Sequence, residues 1–310
     1  MILALGGNGF IGRNFVKRFA QIEKVRVFGQ NKKYEVKNSN VEYIKGDFRN
    51  VRFHNLLENV DTVFHFISST VPFEGTEGIL EDIECNVIPT IKLLEAMKEI
   101  GCKKIFFVSS GGTIYGECNS PATENTKLSP ECVYAVQKQS IENYLHLYEK
   151  YNDIQGYILR VSNPYGLDVN KNKKQGIIPI FTQKILKGDA IEVWGTGENR
   201  RDYIYIDEVI DAIESVYQYS GMSRIFNIGT GISHSIREII DVIEKETKLK
   251  AKIEFKEGRK CDLINSFLDT SLIYQECGWK SKMSIEQGIR DYVNIISNKM
   301  QIGDRYAMGE

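Results

Sequence analysis

Tyr134 and Lys138 stand four residues apart in Tyr134-Ala-Val-Gln-Lys138, within a pattern that predicts a helix over Cys132–Tyr151. An i, i+4 pair shares one helix face, so a phenol and an ammonium are set side by side. Unaided, a tyrosine ionises at about pH 10. A nearby positive charge lowers that value, and the resulting phenolate can take a hydroxyl proton while hydride leaves the same carbon. Alone, such a pair is ordinary on helices.

Three further segments give it meaning. Gly6-Gly7-Asn8-Gly9-Phe10-Ile11-Gly12 follows the apolar run Ile2–Leu5 and opens a helical pattern. Glycines at this spacing permit a tight turn, close approach of backbone to a pyrophosphate, and close packing of helix on strand. Ser109-Ser110-Gly111-Gly112-Thr113-Ile114-Tyr115-Gly116 ends another apolar run and supplies hydroxyls ahead of Tyr134. Arg259-Lys260-Cys261-Asp262 offers a forked donor suited to a second phosphate-bearing ligand. The set implies an oxidoreductase-type centre lying between two nucleotides.

The elements that must hold these groups alternate along the first half. Strands are expected at Ile2–Leu5, Val25–Phe28, Val41–Ile44, Thr62–Phe66, Ile105–Ser109 and Gly156–Arg160, with helices near Gly12–Ala20, Val51–Glu58, Ile79–Ile100 and Cys132–Tyr151. Short, near-continuous apolar strands between helices predict an α/β fold, a doubly wound parallel sheet of the Rossmann type. Beyond the polar loop Asp168–Gln175 the pattern loosens into helices at Ile178–Lys187, Asp207–Tyr219 and Ser235–Thr247, and strands at Ile191–Trp194 and Ile225–Ile228. We read 1–166 as a dinucleotide-binding unit and 167–299 as a smaller α/β, mainly substrate-binding unit, with segments crossing back to the first. Residues 300–310 form a tail.

Composition narrows the function classes. A net charge of -1 without a basic stripe argues against a nucleic-acid partner. No stretch reaches the roughly eighteen apolar residues of a membrane span, and the start lacks the pattern of an export signal. Six cysteines without a Cys-x-x-Cys pair suit reduced thiols in a cytoplasmic protein. The four histidines lack metal-ligand spacing, so no metal is expected, and His65 in its apolar run reads as a core residue.

Taken in order, the segments resemble the extended short-chain dehydrogenase/reductases, in particular the NAD-dependent epimerase/dehydratase family and its UDP-hexose 4-epimerases. The resemblance runs nearly end to end: Gly6–Gly12, Gly46-Asp47, Asn86, Ser109–Gly116, Tyr134/Lys138, Arg160-Val-Ser-Asn163-Pro-Tyr-Gly166, Arg201–Asp207, Phe226–Gly231, Arg259–Asp262 and Gly278-Trp279. It implies cofactor contacts from Gly6, Gly9, Phe10, Ile11, Gly12, Phe66, Asn86, Tyr134 and Lys138. Gln30 or Asn31 would bond the adenosine ribose, since the second strand ends without an acid; Lys32 or Lys33 would equally favour a 2′-phosphate, which leaves NAD or NADP open. Asp47 would accept from the adenine amino group while Phe48 covers the ring, unless Asp47 is a plain turn residue.

The same resemblance puts a catalytic Ser or Thr five positions before Gly116, where this chain has Gly111. Ser110 is the favoured replacement, with Thr113 in reserve. Asn163, Ile177, Arg201, Arg259 and Asp262 are implied contacts of a UDP-sugar, although an Arg201–Asp202 ion pair is the plain alternative and Cys261 replaces the usual glycine. Ser266, where a large Tyr would limit the pocket to hexoses, implies room for N-acetylhexosamines; a surface serine is the other reading. The expectation is therefore a 4-epimerase of UDP-GlcNAc/UDP-GalNAc or UDP-Glc/UDP-Gal, active as a homodimer and suited to polysaccharide supply. An NADPH-dependent 4-keto-sugar reductase and a catalytically silent nucleotide binder are the alternatives. A 4,6-dehydratase would need an Asp-Glu pair where Gly112-Thr113 stand.

Overall fold

In the computed structural model, residues 1–30, 36–70, 75–167, 176–259 and 262–307 are described, with side chains to residue 298. The expected parallel sheet is present. Strands β1 (Ile2–Leu5), β2 (Val25–Gly29), β3 (Val41–Lys45), β4 (Thr62–His65), β5 (Lys104–Ser110) and β6 (Gln155–Val161) pair in parallel, within one or two residues of their predicted bounds. Alternation within the strands sorts side chains to two cores. Ile2 and Ala4 face Phe15 and Phe19 of helix α1 (Phe10–Phe19), while Leu3 and Leu5 face the opposite core with Leu93 and Leu94. Both faces are covered, as their unbroken apolar runs require.

On that second face lie α2 (Phe53–Leu57) and the stretch read as one helix over Ile79–Ile100. The structure divides it into α3 (Ile79–Asp82), a π-helical turn (Ile83–Val87) and α4 (Ile88–Ile100). Pro89, in the first turn of α4, has no N–H to offer the carbonyl four residues back, which favours a local change of pitch. Helix α5 (Val133–Asn152) packs beside them over β5 and β6.

The second half is stitched to the first. Helix α6 (Ile177–Lys187) and strands β8 (Ala190–Trp194) and β9 (Arg200–Tyr205) are followed by α7 (Ile206–Tyr217), which packs on α1. Strand β10 (Ile225–Ile228) then pairs with β6, so the sheet order among the described residues is β10-β6-β5-β4-β1-β2-β3. The strand order reverses beside β1, where ligands of such sheets bind beyond the carboxyl ends. A smaller sheet forms around β9, flanked by β7 (Asn163–Tyr165), β11 (Ser233–Ser235) and β13 (Asn265–Ser266). Helices α8 (Ile236–Thr247), α9 (Ser271–Cys277) and α10 (Ile285–Ala307), with β12 (Lys252–Lys256) beside β8, complete the chain. Among the described residues no helix is long and apolar enough to cross a membrane.

Candidate active site

The glycine turn leaves β1 at Gly6, whose φ of +77° suits a residue without a side chain. A Cβ at Gly12 would lie 2.4 Å from the Gly6 carbonyl oxygen, and one at Gly7 would lie 2.8 Å from Val27. Gly9 caps α1 without a side-chain bond, and the first turn of α1 holds no acidic residue. The N–H groups at Phe10, Ile11 and Gly12 therefore open onto a bare glycine cradle, a fit for the pyrophosphate of a dinucleotide.

Farther from the turn, several expected cofactor contacts have other partners. Asp47 is held by Arg49, through its backbone N–H at 2.9 Å and its guanidinium, and the side-chain hydrogen bond lowers the Asp47 carboxyl. The Phe48 ring faces inward. It is buried and meets Phe53 and His65 edge-on at 5.4 and 5.2 Å, because the apolar core beneath α2 takes its ring. Phe66 packs on Phe15 at 5.0 Å, although its backbone lines Gly6. Asn86 is fully buried in the π-helical turn, where it accepts from the Ser69 N–H and hydroxyl and donates to Asp82. It thus braces the loop after β4. Gln30 is exposed at the end of β2, while Asn31, Lys32 and Lys33 lie outside the described residues.

At the end of β5 the hydroxyl of Ser110 accepts from the Thr113 hydroxyl at 2.9 Å, and the Ser110 side chain favours the ionised form of the Tyr134 phenol. Gly111 explains why no hydroxyl stands one residue later. A Cβ there would lie 2.6 Å from Leu268 Cδ1 and 2.9 Å from the Arg160 carbonyl oxygen. Lys138 is buried on the same face of α5 as Tyr134. Its Nζ donates to the Val108 carbonyl at 3.0 Å and lies 4.7 Å from the Phe107 ring centroid and 5.6 Å from that of Tyr134. Burial draws this ammonium down to about 8, against the charges of Glu142 and Asp82. The phenol departs from expectation. Burial pushes Tyr134 up to about 12, and the Ser110 hydrogen bond acts in the opposite direction. The expected lowering of its pKa is therefore not a property of the chain's own groups.

The small sheet meets this centre through Gly112. The Ser266 hydroxyl donates to the Gly112 carbonyl at 3.2 Å and is 1% exposed, so the surface-serine reading is excluded. Asn163 lies against Gly112 and donates to the Asp202 carbonyl at 3.0 Å. In register with Ser266 stands Arg201. No Arg201–Asp202 pair forms. The buried Asp202 carboxylate takes the Thr230 and Gly231 N–H groups and the Thr230 hydroxyl, while Arg201 donates to the carbonyls of Arg200 and Leu263 at 2.8 and 2.7 Å. Among the described residues Arg201 has no carboxylate in ion-pair contact, and burial lowers its guanidinium. Arg259 and Asp262 bond each other at 2.8 and 3.0 Å on the surface, with the guanidinium 5.4 Å from the Trp194 ring centroid. Ile177, partly buried, begins α6 and packs against the core; Cys261 lies outside the described residues.

Residues unclaimed by the sequence reading surround the site. Asp82 is buried, accepts from Thr70 and Asn86, and has its carboxyl raised by burial. Arg160 forms a buried pair with Glu142 at 2.6 Å and donates to the Tyr115 hydroxyl, which donates in turn to Asn227 at 2.7 Å. The polar residues Asp82, Asn86 and Thr90, spaced four apart so that they share one helix face, were the available signal. His65 is a core residue as read: it is fully buried, bonded to Thr90 at 3.0 Å, and lowered by burial to about 3.

Comparison with known proteins is consistent with this geometry. The family model described as the NAD dependent epimerase/dehydratase family matches residues 2–229. An Escherichia coli dTDP-4-dehydro-6-deoxyglucose reductase is 32% identical over 309 residues, covering 96% of this chain and 98% of its own. A UDP-glucose 4-epimerase of Mycolicibacterium smegmatis is 28% identical, covering 96% and 99%. Among solved structures, the UDP-glucose 4-epimerase of Thermotoga maritima with UDP-glucose superposes with a TM-score of 0.90 at 28% identity, covering 96% of this chain and 99% of that one. The UDP-glucose 4-epimerase of Thermus thermophilus in complex with NAD gives 0.84 at 26% identity, covering 94% and 97%.

Proposed function

We propose that this chain, which belongs to the NAD dependent epimerase/dehydratase family, interconverts the C4 epimers of UDP-sugars, with UDP-GlcNAc and UDP-GalNAc among its substrates. The observation that carries the reading is the contact of two half-sites at Gly112. One half is the Ser110–Tyr134–Lys138 centre at the end of β5; the other is Ser266 with its neighbour Arg201. Forked donors without a carboxylate partner suit a diphosphate. A buried serine, in place of a bulky residue, leaves space beside the sugar.

The cofactor is NAD, held by the Gly6–Gly12 turn and by Lys138, and it supplies reversible hydride acceptance when bound. The chain's own groups handle the proton. Tyr134 takes it from the 4-hydroxyl and returns it, Ser110 hydrogen-bonds the phenol, and Lys138 provides a buried positive charge beside the ring. The reaction has no net redox change, so no cofactor is consumed.

A second reading has its own support. The Escherichia coli relative at 32% identity is a reductase, and Gly111 departs from the epimerase pattern. In that reading the same centre would deliver a proton to a 4-keto sugar nucleotide. Purified protein incubated with UDP-GlcNAc and no added cofactor separates the two. Formation of UDP-GalNAc supports the epimerase; consumption of a 4-keto sugar nucleotide only with added reduced cofactor supports the reductase and defeats the first reading.

Two copies would pair through α4 and α5. Leu80, Ile83 and Ile88 on one helical stretch and Val136, Leu147 and Tyr151 on the other are exposed, apolar side chains that a second copy would cover.

A further inference from the structure

The Ser110 side chain acts on the Tyr134 phenol, and the Thr113 hydroxyl bonds Ser110. Ser110 is only 8% exposed, and its single proton can serve only one acceptor at a time. The Thr113 hydroxyl donates to Ser110 Oγ at 2.9 Å, which occupies a lone pair there and leaves the Ser110 proton for the phenol. Local backbone holds Thr113 in place: its own N–H and that of Ile114 turn back to the Ser110 carbonyl at 3.4 and 3.1 Å. The turn that brings Thr113 back over Ser110 passes through Gly111 and Gly112. A side chain at 111 would strike Leu268, and one at 112 would press on Asn163 at 3.1 Å. The two glycines thus close the turn, and the hydroxyl missing at 111 is replaced by a pair acting in series.

We propose that Thr113 is a positioning residue, which orients the Ser110 hydroxyl so that it donates to Tyr134. The proposal rests on the Ser110–Tyr134 centre of the preceding reading, but it predicts behaviour that does not depend on which sugar is turned over. A hydrogen bond donated to the phenolate favours ionisation, and chains of such bonds reinforce one another. Around the phenol, Asp82 from α3 and Cys132 ahead of α5 oppose ionisation, and Lys138 lies on the same helix face. None of these changes when Thr113 is replaced, so a shift can be assigned to the hydroxyl chain.

The test uses the full chain labelled with 3-fluorotyrosine, with the Tyr134 resonance identified by its absence in Tyr134→Phe. Thr113→Val is expected to raise the Tyr134 pKa by up to about 0.7 unit, since one neutral hydrogen bond is worth roughly 1 kcal/mol and one unit about 1.4. Thr113→Ser should restore it, and Thr113→Val should add nothing in a Ser110→Ala background. Turnover should fall about tenfold in Thr113→Val and about a hundredfold or more in Ser110→Ala, with the double variant no slower than Ser110→Ala. An unchanged Tyr134 pKa in Thr113→Val, or losses that multiply in the double variant, would overturn the proposal. A larger turnover loss in Thr113→Val than in Ser110→Ala would make Thr113 itself the catalytic hydroxyl and would also overturn it. If the wild type turns over no UDP-sugar, the epimerase reading fails while the titration still decides the role of Thr113.

Discussion

A Cβ on Gly111 would stand 2.6 Å from Cδ1 of Leu268. The side chain that fills the hydroxyl's usual place comes from the strand end after β13, far downstream in the sequence. Gly111→Ser should therefore not improve the enzyme by restoring the family pattern. It should destabilise the fold by about 1–3 kcal/mol, the usual cost of overpacking, and lower turnover. Thermal unfolding and turnover check this, and Leu268→Ala in the same chain should relieve only part of the loss, because the Arg160 carbonyl remains 2.9 Å away.

Arg201 and Arg259 should contribute unequally to UDP binding. Arg201 is largely enclosed and bonded only to carbonyls among the described residues, whereas Arg259 is exposed and paired with Asp262. Arg201→Met is expected to weaken UDP by about tenfold to a hundredfold, the scale of one charged hydrogen bond. Arg259→Met should cost less and respond more to salt. Calorimetric titration at two ionic strengths measures both; equal losses would contradict the asymmetry.

Ser266→Tyr should change selectivity. The wild-type side chain is enclosed and tied to the Gly112 carbonyl, so a larger residue must push toward the sugar. Turnover of the N-acetylated pair should fall against that of UDP-glucose and UDP-galactose. Ser266→Ala, which removes only a hydrogen bond, should cost about 1 kcal/mol of stability and preserve the ratio. A Tyr variant that spared the N-acetylated pair would remove Ser266 from the pocket wall.

Lys138 predicts a pH signature in the cofactor-free protein. Burial draws its pKa from 10.5 to about 8, so between these values the unfolded chain binds a proton that the folded chain does not. Stability then rises with pH across that window and levels off above it. Denaturant unfolding from pH 7.5 to about 10 should show the rise, and Lys138→Met should flatten it. A rise that survives the substitution would assign it elsewhere.

Much of the fold was legible because its signals are local. The glycine turn, the six apolar strands and the Tyr134/Lys138 spacing each depend on a few adjacent residues. Strand β9 was missed because it opens Arg200-Arg201-Asp202, which reads as polar surface, yet Asp202 is fully buried on bonds from Thr230 and Gly231. The burial of Phe48 against Phe53 was not legible, because spacing does not say which way a ring turns. The lie of Ser110 and Thr113 depends on Leu268, a contact that no local pattern encodes. The Tyr134–Lys138 pair was visible, but the sign of the burial effect on the phenol was not.

The pairing of β10 with β6 has a consequence for synthesis. A nascent chain that has reached residue 166 possesses every strand of the nucleotide turn but leaves the outer edge of β6 without a neighbour. That edge closes only after β8, β9 and α7 have left the ribosome, so the parallel sheet waits for a strand from the second half of the chain. A fragment cut at the apparent boundary would expose an unpaired strand, the kind of surface on which chains aggregate.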